Sequence, residues 1–263
     1  MSNLRSVICT VLGHVDHGKS SILDAIRGTS VAASEAGQIT QAIGASIVPL
    51  SVIEKLCKPI MSSLGLKLSI PGLLFIDTPG HSAFVTLRRR GGVLADVAIL
   101  VIDINEGFMP QTLEAIEILK GYKTPFIVAA NKIDLIPGWR SNKEFLSKGI
   151  ALQQQHVQEE FDNRLYRLMA KLADVGFDSD RFDRIEDYTK QVAIVPCSAK
   201  TLEGVPELLM MVAGLAQRFL EQRLRFSLTG FMKGTILEGK KETGLGVSVD
   251  VIVFDGSLRK IDT

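Results

Sequence analysis

The sequence predicts an α/β fold, a mostly parallel central sheet flanked by helices, followed by an incomplete antiparallel β segment. Continuous apolar runs at "SVICTVLG" (6–13), "LLFIDTPG" from Leu73, "VAILVID" from Val97, "PFIVAANK" from Pro125 and "VAIVPCS" from Val192 have the texture of strands buried on both faces. Helical patterns lie between most of them, including "PQTLEAIEILKG" from Pro110 and "PELLMMVAGLAQRFL" from Pro206. Each opens on a proline in its first turn, where the missing N–H costs nothing. After Arg223 the texture changes to short alternating runs separated by turns such as "GKKETGLG" and "DGS", which reads as antiparallel β.

The first strand ends at Gly13, and "KSSILDAIRG" from Lys19 then puts Ile22, Leu23 and Ile26 on one helical face, with a stop expected at Gly28. "GASIVPL" (44–50) adds a strand, expected to pair as a hairpin with the one at Leu73. Between Lys132 and Val192 no strand is expected; instead Phe161, Leu165, Leu168 and Leu172 fall at helical spacing in a polar run. This predicts an inserted amphipathic helix, whose apolar stripe either packs on its own domain or meets a partner. Trp139 is expected to bury its ring beneath it. The expected division is a nucleotide-binding domain over 1–222, with the insert at about 139–190, and the start of a β-barrel over 223–263. That last stretch is too short to close a barrel alone.

At 263 residues and 46% hydrophobic, the chain can bury a full core. Thirty basic against twenty-nine acidic residues leave a formal charge of +1, so any contact with nucleic acid or a membrane surface must be a local patch. Cys9, Cys57 and Cys197 are too few and too scattered for a disulfide framework, which points to a reducing, cytoplasmic compartment. The N-terminus has no apolar signal core, and the longest apolar run, "VLADVAILVIDI" from Val93, is interrupted by Asp96 and too short to span a bilayer.

"GHVDHGKS" (13–20) fits G-x-x-x-x-G-K-[ST] between a predicted strand and a predicted helix, the context a phosphate-binding loop requires. Gly13 and Gly18 let the backbone turn its amides inward, Lys19 reaches the β- and γ-phosphates, and the Ser20 hydroxyl is a Mg²⁺ ligand. The cradle so defined is Gly13, His14, Val15, Asp16, His17, Gly18, Lys19, Ser20 and Ser21. It does not distinguish ATP from GTP. "FIDTPGH" (75–81) ends a strand with Asp77, suited to hold Mg²⁺ through water, and Gly80, whose N–H can approach a γ-phosphate.

"NKID" (131–134) selects the base, because Asp134 can accept hydrogen bonds from guanine N1–H and the 2-amino group, a donor pair adenine lacks. Asn131 would brace the loop and the Lys132 stem lie along the purine. "CSAK" (197–200) ends the last strand, where Ser198, Ala199 and Lys200 bring a backbone N–H near the guanine O6. Each string alone is an ordinary polar turn. In this order, each at the C-terminal end of a strand, they define a guanine nucleotide site.

"GHVDHGKS" with "DTPGH" resembles the G-domain of the translational GTPases. "GQITQAIGAS" (37–46), "DTPGHSAFVTLRRRGG" (77–92), "DINEGFMPQT" (103–112), "NKIDLIPGWR" (131–140) and the insert ending "SDRFDRIEDYTKQVAIVPCSAKT" narrow it to the family of archaeal and eukaryotic translation initiation factor 5B, counterpart of bacterial initiation factor 2. "KGTILEGKKETGLG" resembles the start of that family's β-barrel domain.

The resemblance implies a P-loop GTPase that acts in ribosomal subunit joining, a monomer whose partners are the ribosome and its RNA. Initiator tRNA would be met only through domains that this chain lacks. It makes Thr40 the switch threonine, a Mg²⁺ ligand contacting the γ-phosphate, although Gln38 replaces the commoner glycine of that motif. His81 becomes the residue that orients the attacking water, so the implied catalytic residues are Lys19, Thr40 and His81. Val15 and Ile39 match the apolar pair that screens that histidine. Asp16 matches a site for a monovalent cation, K⁺ or Na⁺, or else braces the loop, and His17 is expected to serve through its backbone and stay neutral. Arg88, Arg89 and Arg90 are either a solvated helix face or a contact to ribosomal RNA phosphates. The alternatives are an elongation-type GTPase that delivers tRNA, a non-hydrolysing guanine nucleotide switch or scaffold, and an ATP-dependent kinase.

Overall fold

The computed structural model describes residues 4–33, 41–42, 45–64, 68–76, 95–220, 224–226, 231–242 and 246–257. The strands are β1 (Val7–Gly13), β2 (Gln41–Ala42), β3 (Ala45–Pro49), β4 (Gly72–Ile76), β5 (Val97–Asp103), β6 (Phe126–Asn131), β7 (Asp178–Arg181), β8 (Gln191–Pro196), β9 (Lys233–Glu242) and β10 (Gly246–Asp255). The helices are α1 (Lys19–Ala33), α2 (Leu50–Leu64), α3 (Pro110–Gly121), α4 (Leu146–Ala151), α5 (Gln155–Asp174) and α6 (Val205–Leu220).

The first eight strands form one sheet in the order β2-β3-β4-β1-β5-β6-β8-β7. β4, β1, β5, β6, β8 and β7 run parallel, while β3 joins β4 as the antiparallel hairpin expected from "GASIVPL", with Ala45 opposite Ile76 and Pro49 opposite Gly72. β1, β5 and β6 are buried at every residue, which is why they read as unbroken apolar runs. Helices α1, α2 and α6 pack on one another and on one face, while α3 lies against β1 and β5. Right-handed crossover of β5 through α3 to β6 places α3 on the other face. β9 and β10 pair separately as an antiparallel two-stranded sheet.

This register aligns the motifs. Gly13 sits opposite Val101, Asp103 opposite Asn131, and Ala130 opposite Pro196, so the C-terminal ends of β1, β5, β6 and β8 form one rim. Ligands bind at that rim in open α/β sheets.

Three expectations need correction. A strand, β7, does lie between Lys132 and Val192; its sequence "DSDR" carries no apolar pattern because it is the polar outer edge beside β8. The insert holds α4 as well as α5. Helix α1 runs through Gly28 to Ala33: Gly28 does not take up the left-handed backbone that would end a helix, and an interior glycine only weakens one. The apolar stripe of α5 is internal: Phe161, Leu165 and Leu172 are fully buried, and Trp139 tilts over Phe161 with ring centroids 5.7 Å apart.

A carboxylate is buried at the start of α6. Glu207 is 4% exposed and its Oε1 accepts the Leu146 N–H at 2.8 Å, tying α4 to α6. Burial raises its pKa, against the pull of the Leu146 amide and its own. Burial, and then the Glu207 charge, also push the Cys57 thiol up to about 12. Because the folded-state pKa of Glu207 exceeds the unfolded one, its contribution is fully present below the unfolded pKa and lost as pH rises through the folded value. Glu207→Gln keeps the acceptor and removes the buried charge. The variant is expected to melt higher than the parent at pH 7 to 8, with the gap closing as pH falls towards about 4.5. A melting-temperature difference that does not vary with pH would show that the charge is not what matters there.

Candidate functional site

The loop over 13–20 is shaped by close approaches and left-handed backbone at its two glycines. A Cβ at Gly13 (φ 142°) would lie 2.2 Å from the Val101 carbonyl oxygen, and one at Gly18 (φ 92°) 2.4 Å from Asn131 Nδ2. Asp16, at φ 64°, supplies the left-handed turn between them, a conformation Asp tolerates. The chain then enters α1 at Lys19, and the first-turn amides of a helix have no partner within it. Converging free amides at a helix N-terminus are an anion cradle.

The side chains complete it. Lys19 Nζ donates to the carbonyls of Gly13 (3.0 Å) and His14 (2.6 Å), which holds the ammonium over the loop. Burial lowers the Lys19 pKa, and the Asp16 charge works against that. Ser20 and Ser21 are exposed in the first turn of α1. Val15 is 54% exposed, and its N–H donates to Gln111 Oε1 at 3.1 Å. His17 is fully buried, its ring edge-on to His14 with centroids 5.1 Å apart. Glu106 Oε2 lies 3.3 Å from His17 Nε2, yet neither ring nitrogen has a partner in hydrogen-bond geometry. Burial lowers the His17 pKa; Asp103 and Glu106 raise it, and His14 lowers it further. The His17 carbonyl does the structural work.

That carbonyl accepts from Asn131 Nδ2 at 3.0 Å, while Asn131 Oδ1 accepts the Ala199 N–H at 3.1 Å. One buried side chain thus joins the loops after β1, β6 and β8. Lys132 follows in the left-handed region (φ 67°), its Nζ 2.8 Å from Asp103 Oδ2. Burial would raise the Asp103 pKa, but the bonds from Lys132 and Asn105 outweigh it and hold the carboxyl below its ordinary value. Asp134 stands in the 3-10 turn Ile133–Leu135, its Oδ1 accepting the Ser198 hydroxyl at 2.6 Å. Ser198 Oγ in turn accepts the amides of Lys200 (3.2 Å) and Thr201 (3.1 Å).

Residues 4–218 match the model of the elongation factor Tu GTP-binding domain. The chain belongs to that family. This GTP-binding domain is 58% identical over 261 residues to a probable translation initiation factor IF-2 from Metallosphaera sedula, covering 99% of this chain and 44% of the relative. It is 56% identical over 262 residues to a probable translation initiation factor IF-2 from Methanopyrus kandleri, again 99% and 44%. The chain therefore spans less than half the length of the curated relatives it matches. Among solved structures, GDP-bound aIF5B from Aeropyrum pernix superimposes with a TM-score of 0.91 at 54% identity, over 96% of this chain and 42% of that one. The apo elongation factor SelB from Methanococcus maripaludis shares the fold alone, at 21% identity and a TM-score of 0.59, over 97% of this chain and 43% of that one.

In this GTP-binding domain Thr40, Asp77, Gly80 and His81 lie outside the described residues, as do Gln38, Ile39, Arg88, Arg89 and Arg90. Among the described residues no cluster of three or more His, Cys, Asp or Glu side chains is arranged to hold a metal, and no helix is long and apolar enough to cross a membrane. Asp103, Asn105, Gln111 and Glu203 escape the motif reading although each holds a motif loop. Glu203 accepts from the Asn142 amide (3.1 Å) and the Thr201 hydroxyl (2.7 Å), stapling the loop after β8 to the insert. Asp103, Asn105 and Gln111 fall inside "DINEGFMPQT", which carries part of the resemblance without giving any of them a role, and Glu203 signals itself only as a polar residue in the loop after a strand.

Proposed function

We propose that the chain is the GTPase module of a translation initiation factor, binding GTP or GDP with Mg²⁺ and hydrolysing GTP to GDP and phosphate. The single observation that carries this reading is the Asn131 bridge, which ties the phosphate loop and both base-side loops into one site. The similarity to archaeal initiation factors supports the rest.

In this reading the amides of Gly18 to Ser21, with Lys19, bind and orient the phosphates, and Asn131, Lys132, Asp134, Ser198, Ala199 and Lys200 hold the base. Ser20 and Thr40 would hold Mg²⁺ directly and Asp77 through water; when bound, the ion offsets negative charge on the phosphates. Gly80 meets the γ-phosphate and His81 orients the attacking water, so catalysis is chiefly positioning. The longer protein acts in the cytoplasm as a monomer that promotes ribosomal subunit joining. Ribosomal RNA is a partner of that protein, with Arg88, Arg89 and Arg90 as candidate phosphate contacts if they are not simply solvated, and initiator tRNA is met by other parts of it.

Phosphate release from GTP, measured with and without ribosomes, tests this in the longer protein. The expected result is slow intrinsic hydrolysis, strong stimulation by ribosomes and no use of ATP. Nucleotide binding without stimulated release would indicate a non-hydrolysing switch. A K⁺ or Na⁺ ion held by Asp16 should tighten GTP binding more than GDP binding at fixed ionic strength, and Asp16→Ala should remove the difference. Equal cation dependence for both nucleotides would return Asp16 to bracing the loop.

A further inference from the structure

The loop that would hold the purine is fastened to the inserted helix through one amide side chain. Lys132 occupies a left-handed conformation that non-glycine residues adopt at a cost. Asn105, in the turn after β5, supplies part of the hold. Its Nδ2 donates to the Lys132 carbonyl at 3.1 Å and to Asp103 Oδ1 at 2.8 Å, and its backbone N–H donates to the same Asp103 oxygen at 2.8 Å. Asp103 uses its other oxygen on Lys132 Nζ. Asn105 Oδ1 accepts from Arg164 Nη1 on α5. Arg164 is itself fixed one turn back, its Nε donating to Glu160 Oε1 at 2.7 Å, and its side chain is 17% exposed.

The chemistry of these groups imposes a direction. A guanidinium only donates, so the oxygen of the Asn105 amide must face Arg164 and its NH₂ must face Lys132 and Asp103. Without Arg164, the NH₂ still faces the Lys132 carbonyl and the Asp103 carboxylate, but the amide is anchored from that side alone and its position against Lys132 is no longer fixed at both ends. We infer that Arg164 is a positioning residue for the guanine site: it orients Asn105, which clamps Lys132 in place and with it the adjacent Asp134. The insert is thereby part of the base-recognition apparatus and not only a packed appendage. The inference rests on the reading of Lys132 and Asp134 as guanine contacts.

The test uses this chain with Arg164→Met, which keeps the apolar stem and removes every donor, with Asn105→Ala, and with both together. The readouts are the dissociation rate of fluorescent GDP, the preference for GDP over inosine diphosphate, which lacks the 2-amino group, and the melting temperature without nucleotide. Each single variant is expected to release GDP about five- to tenfold faster, the factor carried by one hydrogen bond of ordinary strength, and to narrow the GDP preference. The double variant should be no worse than Asn105→Ala alone, because both act through one link. Arg164→Lys, which restores a donor, should recover part of the loss. Unchanged release rates, additive effects, or a lowered melting temperature with unaltered base preference would overturn the inference. Failure of the unaltered chain to prefer GDP over ADP would instead overturn the guanine-site reading and the inference with it.

Discussion

Replacing Asp134 with asparagine should turn a GTP-preferring domain into one that prefers xanthosine triphosphate. The direction follows from the partners already around Asp134. Ser198 Oγ accepts two backbone amides, from Lys200 and Thr201, so its single proton is directed to Asp134 Oδ1. In the variant that proton still requires an oxygen, which forces the new amide to keep Oδ1 on Ser198 and present its NH₂ outwards. An outward NH₂ repels guanine N1–H and the 2-amino group but donates to the C2 carbonyl of xanthine. Losing hydrogen bonds to a charged acceptor costs roughly 1.5–3 kcal/mol each, so GTP affinity should fall about a hundredfold or more. Competition binding with the two triphosphates measures it. Retained GTP preference in Asp134→Asn would remove Asp134 from the base site.

His81→Ala should separate chemistry from binding. On the proposal that His81 orients the attacking water, the longer protein carrying this change should bind GTP with nearly unaltered affinity. Its ribosome-stimulated hydrolysis should drop roughly a hundredfold or more, the scale of a lost positioning or acid–base group. Single-turnover phosphate release at saturating ribosomes is the measurement. A parallel loss of GTP affinity would make His81 a structural residue instead.

The strands at Val7, Gly72, Val97, Phe126 and Gln191 were legible because burial on both faces writes itself as a largely apolar run. Strand β7 was not, since it lies at the sheet edge and its side chains are mostly charged. The loops after β1, β6 and β8 stood out in the sequence because their geometry demands particular residues: a Cβ at Gly13 would run into the Val101 carbonyl oxygen, and Gly18 sits at φ 92°. Asp103, Asn105 and Gln111 were not, because any polar residue in a turn looks alike until folding brings it beside Lys132 or Val15. Arg164 was further hidden, placed in a polar helix and recruited to the site across 59 positions of sequence.

The order of strands has a consequence for how the chain comes off the ribosome that makes it. β8 lies between β6 and β7, both of which precede it in synthesis, so β7 has no sheet neighbour until β8 slots into the gap. Asn131 meanwhile links the His17 carbonyl, 114 positions earlier, with the Ala199 amide, 68 positions later. The phosphate loop therefore emerges long before the groups that complete the pocket around it. Closing such distant segments is slow and entropically costly, and a nascent chain shorter than about two hundred residues cannot assemble the whole pocket. A pocket assembled this way takes up nucleotide only once most of the domain has been made, so nucleotide availability acts on the nearly complete domain and not on its early intermediates.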